Sequence, residues 1–358
     1  MKKIILMVLT MFVVAGCGGS SGDSVTLAAD PEVVDSTSAT DGGTDPGGTV
    51  PGDTDPETGL LTVDIAQTPV QEAPALQVCV AIDGMEVTKA DETITVSMEQ
   101  AVSSDECIPP LFSVPLGDDG NPLFIVVNLV DLVDDGTDTV RLISEQLLPA
   151  GEYSSLTLSM YDPDDQGYGD IMHTPYSYVR DLSGDDPKQL NIAGEQLTFD
   201  DGFTVNPGEK NTYTIAFDLH SILQLKVEGE NKFYEMANEM INEGMRLVDN
   251  LLSGVIHGII NPSACASSLD DAYVYLYHAD TAFHHDLGSD YPPVLSAKVK
   301  VIDSDYKMKF VPYGNYDLTL VCNGSADTPD IPDQFLDIDL SVHMDQKLDS
   351  TDLDLDFH

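Results

Sequence analysis

The stretch Met160–Asp170, "MYDPDDQGYGD", sets Asp162, Asp164, Asp165 and Asp170 around Gly167 and Gly169. Aspartate oxygens are hard ligands and glycines let a backbone curl around an ion, so calcium is the cation this loop could hold. Pro163 fills a spacer position and no glutamate closes the loop at its twelfth place, so the pattern is not an EF-hand. The competing reading is a solvated turn. Asp118-Asp119-Gly120, Asp134-Asp135-Gly136 with Asp138, and Asp200-Asp201-Gly202 repeat the same turn chemistry elsewhere in the chain. Tyr168, Tyr176 and Tyr178 flank the loop and are candidate ligand-binding rings in a chain that has no tryptophan.

His278, His284, His285 and Asp286 form the other concentration of metal-ligating side chains. Neighbouring strand residues point to opposite faces, so His284 and His285 converge on one ion only from a loop. There is no Gly-x-Ser-x-Gly elbow, no glycine-rich phosphate loop and no Cys-x-x-Cys pair. The chain therefore reads as non-catalytic and in need of no cofactor, with calcium the one ion the aspartate loop suits. A metal-assisted hydrolase using Asp162–Asp170 or the His284 region is the rival reading, and a purely structural envelope component is the third.

With 62 Asp+Glu against 15 Lys+Arg, the formal net charge of −47 repels nucleic acid and anionic membrane surfaces, because binding either needs clustered Lys and Arg. The first residues nevertheless point to a membrane. "MKKIILMVLTMFVVAG", residues 1–16, has two lysines followed by an apolar run too short to span a bilayer comfortably, which is the pattern of a secretory signal peptide. "VVAGCGGSSGD" after it resembles a bacterial lipobox, which implies cleavage before Cys17 and lipidation of Cys17. Acyl chains contribute about 0.8 kcal/mol per buried CH₂, enough in combination to hold a soluble domain at a membrane. Gly18 in place of aspartate implies, by the same resemblance, the outer membrane of a Gram-negative bacterium. Residues 17–58 are Gly, Ser, Thr, Asp and Pro with few bulky side chains, an acidic tether that cannot bury enough apolar area to order itself.

From Gly59 the texture changes to short alternating runs such as "LLTVDIAQ", "TITVSME" and "NTYTIAFDLHSILQLKVE", separated by turns such as "GDDGNP" and "NPGEK". Period-two alternation without a strand-helix-strand rhythm predicts antiparallel β-sandwiches. The runs "GLLTVDI" (59–65), "VCVAIDGMEV" (78–87), "LLPAGEYSSLTLSM" (147–160) and "FTVNPGEKNTYTIAFDLHSIL" (203–223) resemble the DUF4382 family of bacterial lipoproteins. That resemblance spans roughly residues 59–252 and implies an immunoglobulin-like sandwich over 59–226, with no known reaction. The family's Thr-Asp-Ala-Pro after the first strand is "AQTP" here, Ala66–Pro69.

Between 227 and 252, Phe233, Met236, Met240, Ile241, Met245, Val248 and Leu252 recur every three to five residues apart from one adjacent pair, and this predicts an amphipathic helical connector packed on a sandwich. Residues 253–358 resume the β texture. Their Gly254–Gly258 opening and Pro312–Tyr316 turn resemble the carboxypeptidase-regulatory-like, transthyretin-like sandwich, a fold that includes carbohydrate-binding modules. Of the five cysteines, Cys17 is set aside as the anchor. The remaining four allow three pairings; an exported protein meets an oxidising compartment, and the expectation is one bridge per sandwich, Cys79–Cys107 and Cys265–Cys322. The whole predicts a lipid-anchored cell-envelope protein whose sandwiches bind a protein, glycan or envelope polymer.

Overall fold

The computed structural model describes residues 57–67, 75–98, 105–130, 139–161, 167–183, 186–236, 244–266, 268–281, 283–331, 334–338 and 342–358. The signal peptide, Cys17, the tether through residue 56, and Asp134, Asp135, Asp138, Asp162, Asp164 and Asp165 lie outside the described residues.

The first half is built from two facing sheets. One carries β1 (Thr58–Gln67), β5 (Val140–Pro149), β12 (Lys210–Phe217) and β15 (Met245–Asp249), in the order β15-β12-β1-β5. The other carries β7 (Ser155–Met160), β8 (Tyr178–Asp181), β9 (Lys188–Ile192), β10 (Gln196–Phe199), β13 (Gln224–Glu228) and β14 (Asn231–Met236) around a long β2 (Ala75–Lys89). β2 is bulged between Ile82 and Gly84. Its C-terminal end also pairs with β3 (Glu92–Val96), and its middle, Cys79–Ile82, with β4 (Ile125–Asn128). A small ribbon joins β6 (Gly151–Tyr153) to β11 (Phe203–Val205). Alternation decides which residues go inside: Leu61, Val63 and Ile65 of β1 meet Val78, Val80 and Ile82 of β2 in one core.

The second half repeats this plan. One sheet holds β16 (Ser253–Ile259), β19 (Asp305–Pro312) and β22 (Asp352–Asp354). The other holds β17 (Tyr273–His278), β18 (Leu295–Lys298), β20 (Gly314–Val321) and β21 (His343–Leu348). A separate core with Ile256, Val274, Met308 and Leu318 fills the space between them. β22 lies parallel to β16 so closely that a Cβ on Gly258 would sit 1.9 Å from the Leu355 carbonyl oxygen, so glycine is required there. Thr54–His358 is one compact unit containing both halves.

Two expectations are corrected. The helical connector at 227–252 is mostly strand where it is described: 224–228, 231–236 and 245–249 are strands β13, β14 and β15, and only Asn250–Leu252 forms a single 3-10 turn. β15 completes the first sheet by pairing antiparallel with β12, and β14 extends the second by pairing with β9. Met236 and Met245 are fully buried, each at the sandwich core, as strand residues. The pairing is also not purely antiparallel, since β1–β12, β9–β14 and β16–β22 run parallel. In each of these pairs the partners are far apart in the chain, and a connection that crosses over a sheet returns its strand in the same direction.

Both disulfides join the expected partners. Cys79 on β2 is bonded to Cys107 and Cys265 to Cys322, with Cα separations of 5.7 and 5.5 Å. They close loops of 28 and 57 residues, for which the chain-entropy relation gives about 4 kcal/mol each.

Candidate functional site

The two halves meet where β12 ends. Asp218 caps α1, a single helical turn at Leu219–Ile222, and its side chain is fully buried. Oδ2 accepts from Ser221 Oγ at 2.7 Å and from the Ser296 amide on β18 at 2.7 Å, and the Ser296 hydroxyl donates to the same carboxylate at 2.9 Å. Oδ1 accepts from the His220 amide at 3.2 Å. Burial pushes the Asp218 carboxyl up, opposed by these hydrogen bonds and by the charge of Arg246.

Arg246 stands on β15. Its Nη1 donates to the Val294 carbonyl of the second half at 2.9 Å, while Nε and Nη2 are shielded from water and have no hydrogen-bond partner. Unsatisfied buried donors cost about 1–3 kcal/mol each, and more on a charged group. The carboxylate nearest in charge, Asp218, has its oxygens filled by serine and backbone donors. Burial pushes the guanidinium down, with Asp218 and Tyr316 opposing. Arg246 lines a cleft of about 310 Å³ at the junction of the halves. Leu247, Leu276, Val311 and Pro312 give it apolar walls, and Asp201 and His278 line it with exposed side chains. Tyr316, under His278 at a ring separation of 5.5 Å, is fixed by donating to the Pro312 carbonyl at 2.8 Å.

Of the residues singled out in the sequence, His278, Asp201, Pro312 and Tyr316 line this cleft, and the aspartate loop, its tyrosines and the His284 region lie elsewhere. Asp170 accepts from the Thr174 amide at 2.7 Å and the Thr174 hydroxyl at 3.0 Å, so its carboxylate closes its own turn. Burial raises this carboxyl, and the bonds from Thr174 and Met172 outweigh that and leave it below the usual range. Tyr168, Tyr176 and Tyr178 are buried in a small aromatic core with Phe124 and the Cys79–Cys107 bridge, and so present no stacking surface to solvent.

His284 Nε2 lies 3.1 Å from buried Asp317, while the His285 carbonyl accepts from the Tyr277 hydroxyl at 2.6 Å. Asp286 accepts from the Gln334 amide at 2.9 Å. Asp327 accepts from the Tyr275 hydroxyl at 2.7 Å and from the Leu287 amide. Asp327 thus ties its loop to Tyr275 of β17, Asp286 ties its loop to that of Gln334, and Asp317 on β20 holds the His284 loop. Among the described residues, no group of three or more His, Cys, Asp or Glu is arranged to hold a metal ion. The sequence reading missed Asp218, Ser296 and Arg246. The available signal was the "DLHS" capping pattern at Asp218, together with one of few basic residues inside the stretch read as a helix.

A family model described as "Domain of unknown function (DUF4382)" matches residues 58–236. The match ends on β14, so β15 and Arg246 fall beyond it although they belong to the same sheet system. The search of curated proteins finds no match. Among solved structures, the chain is similar to the Bacillus anthracis TIE protein at 12% identity and a TM-score of 0.18, covering 84% of this chain and 34% of that one. It is similar to the fimbrial anchor protein Mfa2 from Porphyromonas gingivalis at 11% identity and a TM-score of 0.17, covering 78% and 82%. It is also similar to the shaft pilin spaA from Lactobacillus rhamnosus GG at 8% identity and a TM-score of 0.18, covering 84% and 96%. The chain thus spans about a third of the first of these proteins. At such TM-scores the likeness carries nothing about what this chain does.

Proposed function

The chain belongs to the DUF4382 family through residues 58–236, and on that premise we propose that it is a non-catalytic binding protein of the cell envelope. Cys17 is its lipid anchor, residues 17–58 its tether, and the two joined halves its binding body, engaging an envelope protein, glycan or polymer. The observation that supports a binding role is the junction cleft, a mostly apolar concavity of about 310 Å³ with a charged group at its wall. That combination is the usual composition of a ligand pocket. The buried acids of the second half support the non-catalytic reading, because each is committed to holding a loop.

The experiment is cosedimentation of the purified Cys17→Ala chain, which carries no lipid anchor, with isolated envelope fractions, followed by product analysis. Saturable retention without bond cleavage is the expected result; turnover of a glycosidic, ester or peptide bond would overturn the reading. In cells, Cys17→Ala is expected to abolish detergent-requiring membrane attachment and leave only the saturable retention.

A further inference from the structure

The cleft at the junction has one feature that names a ligand class. A guanidinium pairs with a carboxylate most strongly through two parallel N–H donors. In Arg246 the pair formed by Nε and Nη2 is free, whereas Nη1 is occupied by the Val294 carbonyl. Nε and Nη2 are shielded from water where they stand, so a ligand reaches them only if the guanidinium turns. The Nη1–Val294 bond and the attraction of Asp218 and Tyr316 oppose that turn. Rotation toward the cleft gives up one neutral-acceptor hydrogen bond and allows two charge-assisted ones.

We propose that the junction cleft binds a monocarboxylate with an apolar body, the carboxylate taken by Arg246 and the body packed among Leu247, Leu276, Val311 and Pro312. This rests on the binding role proposed above and gives it a ligand class. The cleft volume of about 310 Å³ sits at the lower end for small-molecule sites, which fits a small organic acid or the last residue of a peptide. Exposed Asp201 on the lining repels a second negative group, so dicarboxylates and phosphates are disfavoured. The chain's net charge of −47 acts the same way at long range.

The test is titration calorimetry of the full chain with 4-methylpentanoate, phenylacetate and a tripeptide ending in leucine, each beside its carboxamide. One-to-one binding of at least one acid is expected, with the amide at least tenfold weaker. Preference for the small acids or for the peptide identifies the source. Arg246→Lys keeps the charge but loses the fork and weakens binding at least tenfold. Leu247→Trp fills the cleft, abolishes binding and keeps Arg246 in place, which separates loss of the site from loss of the fold; the thermal midpoint of each variant is recorded alongside. No binding by any acid, or equal binding of acid and amide, overturns the proposal. If the Cys17→Ala chain still cosediments with envelope in that case, the ligand class fails and the binding role stands; if both fail, both are wrong.

Discussion

Asp218 and Ser296 are joined twice across the junction of the two halves, the serine amide and the serine hydroxyl both donating to one buried carboxylate. The aspartate also caps the turn that follows β12 and lies in the field of Arg246. One side chain therefore sets local structure, the joint between the halves and the electrostatics of the cleft.

Removing that carboxylate strands the Ser221 and Ser296 donors and leaves Arg246 without its nearest counter-charge. Asp218→Ala is expected to cost about 3–5 kcal/mol, the usual penalty for breaking a buried charged network. Ser296→Ala removes one hydroxyl and keeps the amide bond, and is expected to cost about 1 kcal/mol. Urea unfolding of the two variants measures both, and equal losses would contradict the assignment.

His220 stacks on Tyr273 at a ring separation of 4.2 Å, and its Nε2 is buried without a partner. Burial pulls its pKa from 6.5 to about 4, with the backbone bond to Gly324 opposing and Lys298 assisting. Between those values the unfolded chain takes up a proton that the folded chain refuses. The resulting stability is complete above pH 6.5 and is lost as pH falls toward 4. At 1.36 kcal/mol per pKa unit the loss is at most about 3 kcal/mol. Asp218, whose pKa is raised, works in the opposite sense as acid is added. The measurement is therefore the difference between wild type and His220→Phe from pH 7 to 4, which is expected to shrink as pH falls.

The Asp170 carboxylate is engaged by Thr174, so Asp170→Asn is expected to lower the thermal midpoint by the same amount in EDTA and in calcium at fixed ionic strength. A fall confined to calcium would make the aspartate loop a calcium site. Because its pKa is lowered, the part of the stability it supplies disappears as pH drops below the ordinary carboxylate range.

Each disulfide is expected to be worth about 4 kcal/mol through the loop it closes. Cys79→Ala with Cys107→Ala, and Cys265→Ala with Cys322→Ala, are compared with wild type by denaturant unfolding under oxidising and reducing conditions. A gap between each variant and wild type that is present under oxidising conditions and closes under reducing ones is the expected result; a gap unchanged by reduction would contradict it.

The turns were legible because their chemistry is local. Pro149-Ala150-Gly151-Glu152-Tyr153 and Pro312-Tyr313-Gly314-Asn315-Tyr316 each end in a tyrosine whose hydroxyl donates to the carbonyl of the opening proline, at 2.7 and 2.8 Å. Strand alternation was legible for the same reason, and the cysteine pairing, which spans 28 and 57 residues, because two cysteines fall in each β region. The connector was misread because apolar residues from separate strands, Phe233 and Met236 on β14 with Met245 and Val248 on β15, add up to a helix-like spacing. Gly244 carried the contrary signal: a Cβ there would lie 2.6 Å from Ile222 Cγ2, so it is a close-approach position where the chain turns into β15. The tyrosines around the aspartate loop looked like a platform because burial is not written in residue type. Asp218 and Ser296 could not be paired in advance, since nothing in a single sequence brings the turn after β12 against β18.

The most direct measurement of the cleft's role is photocrosslinking in intact cells, with a benzophenone side chain at position 278 on the cleft lining and, as control, at exposed Lys347 on β21. The account predicts a discrete adduct from position 278 that is absent from position 347 and disappears when Leu247→Trp fills the cleft. An adduct from 347 alone, or one from 278 that survives Leu247→Trp, would place the binding surface elsewhere and contradict it.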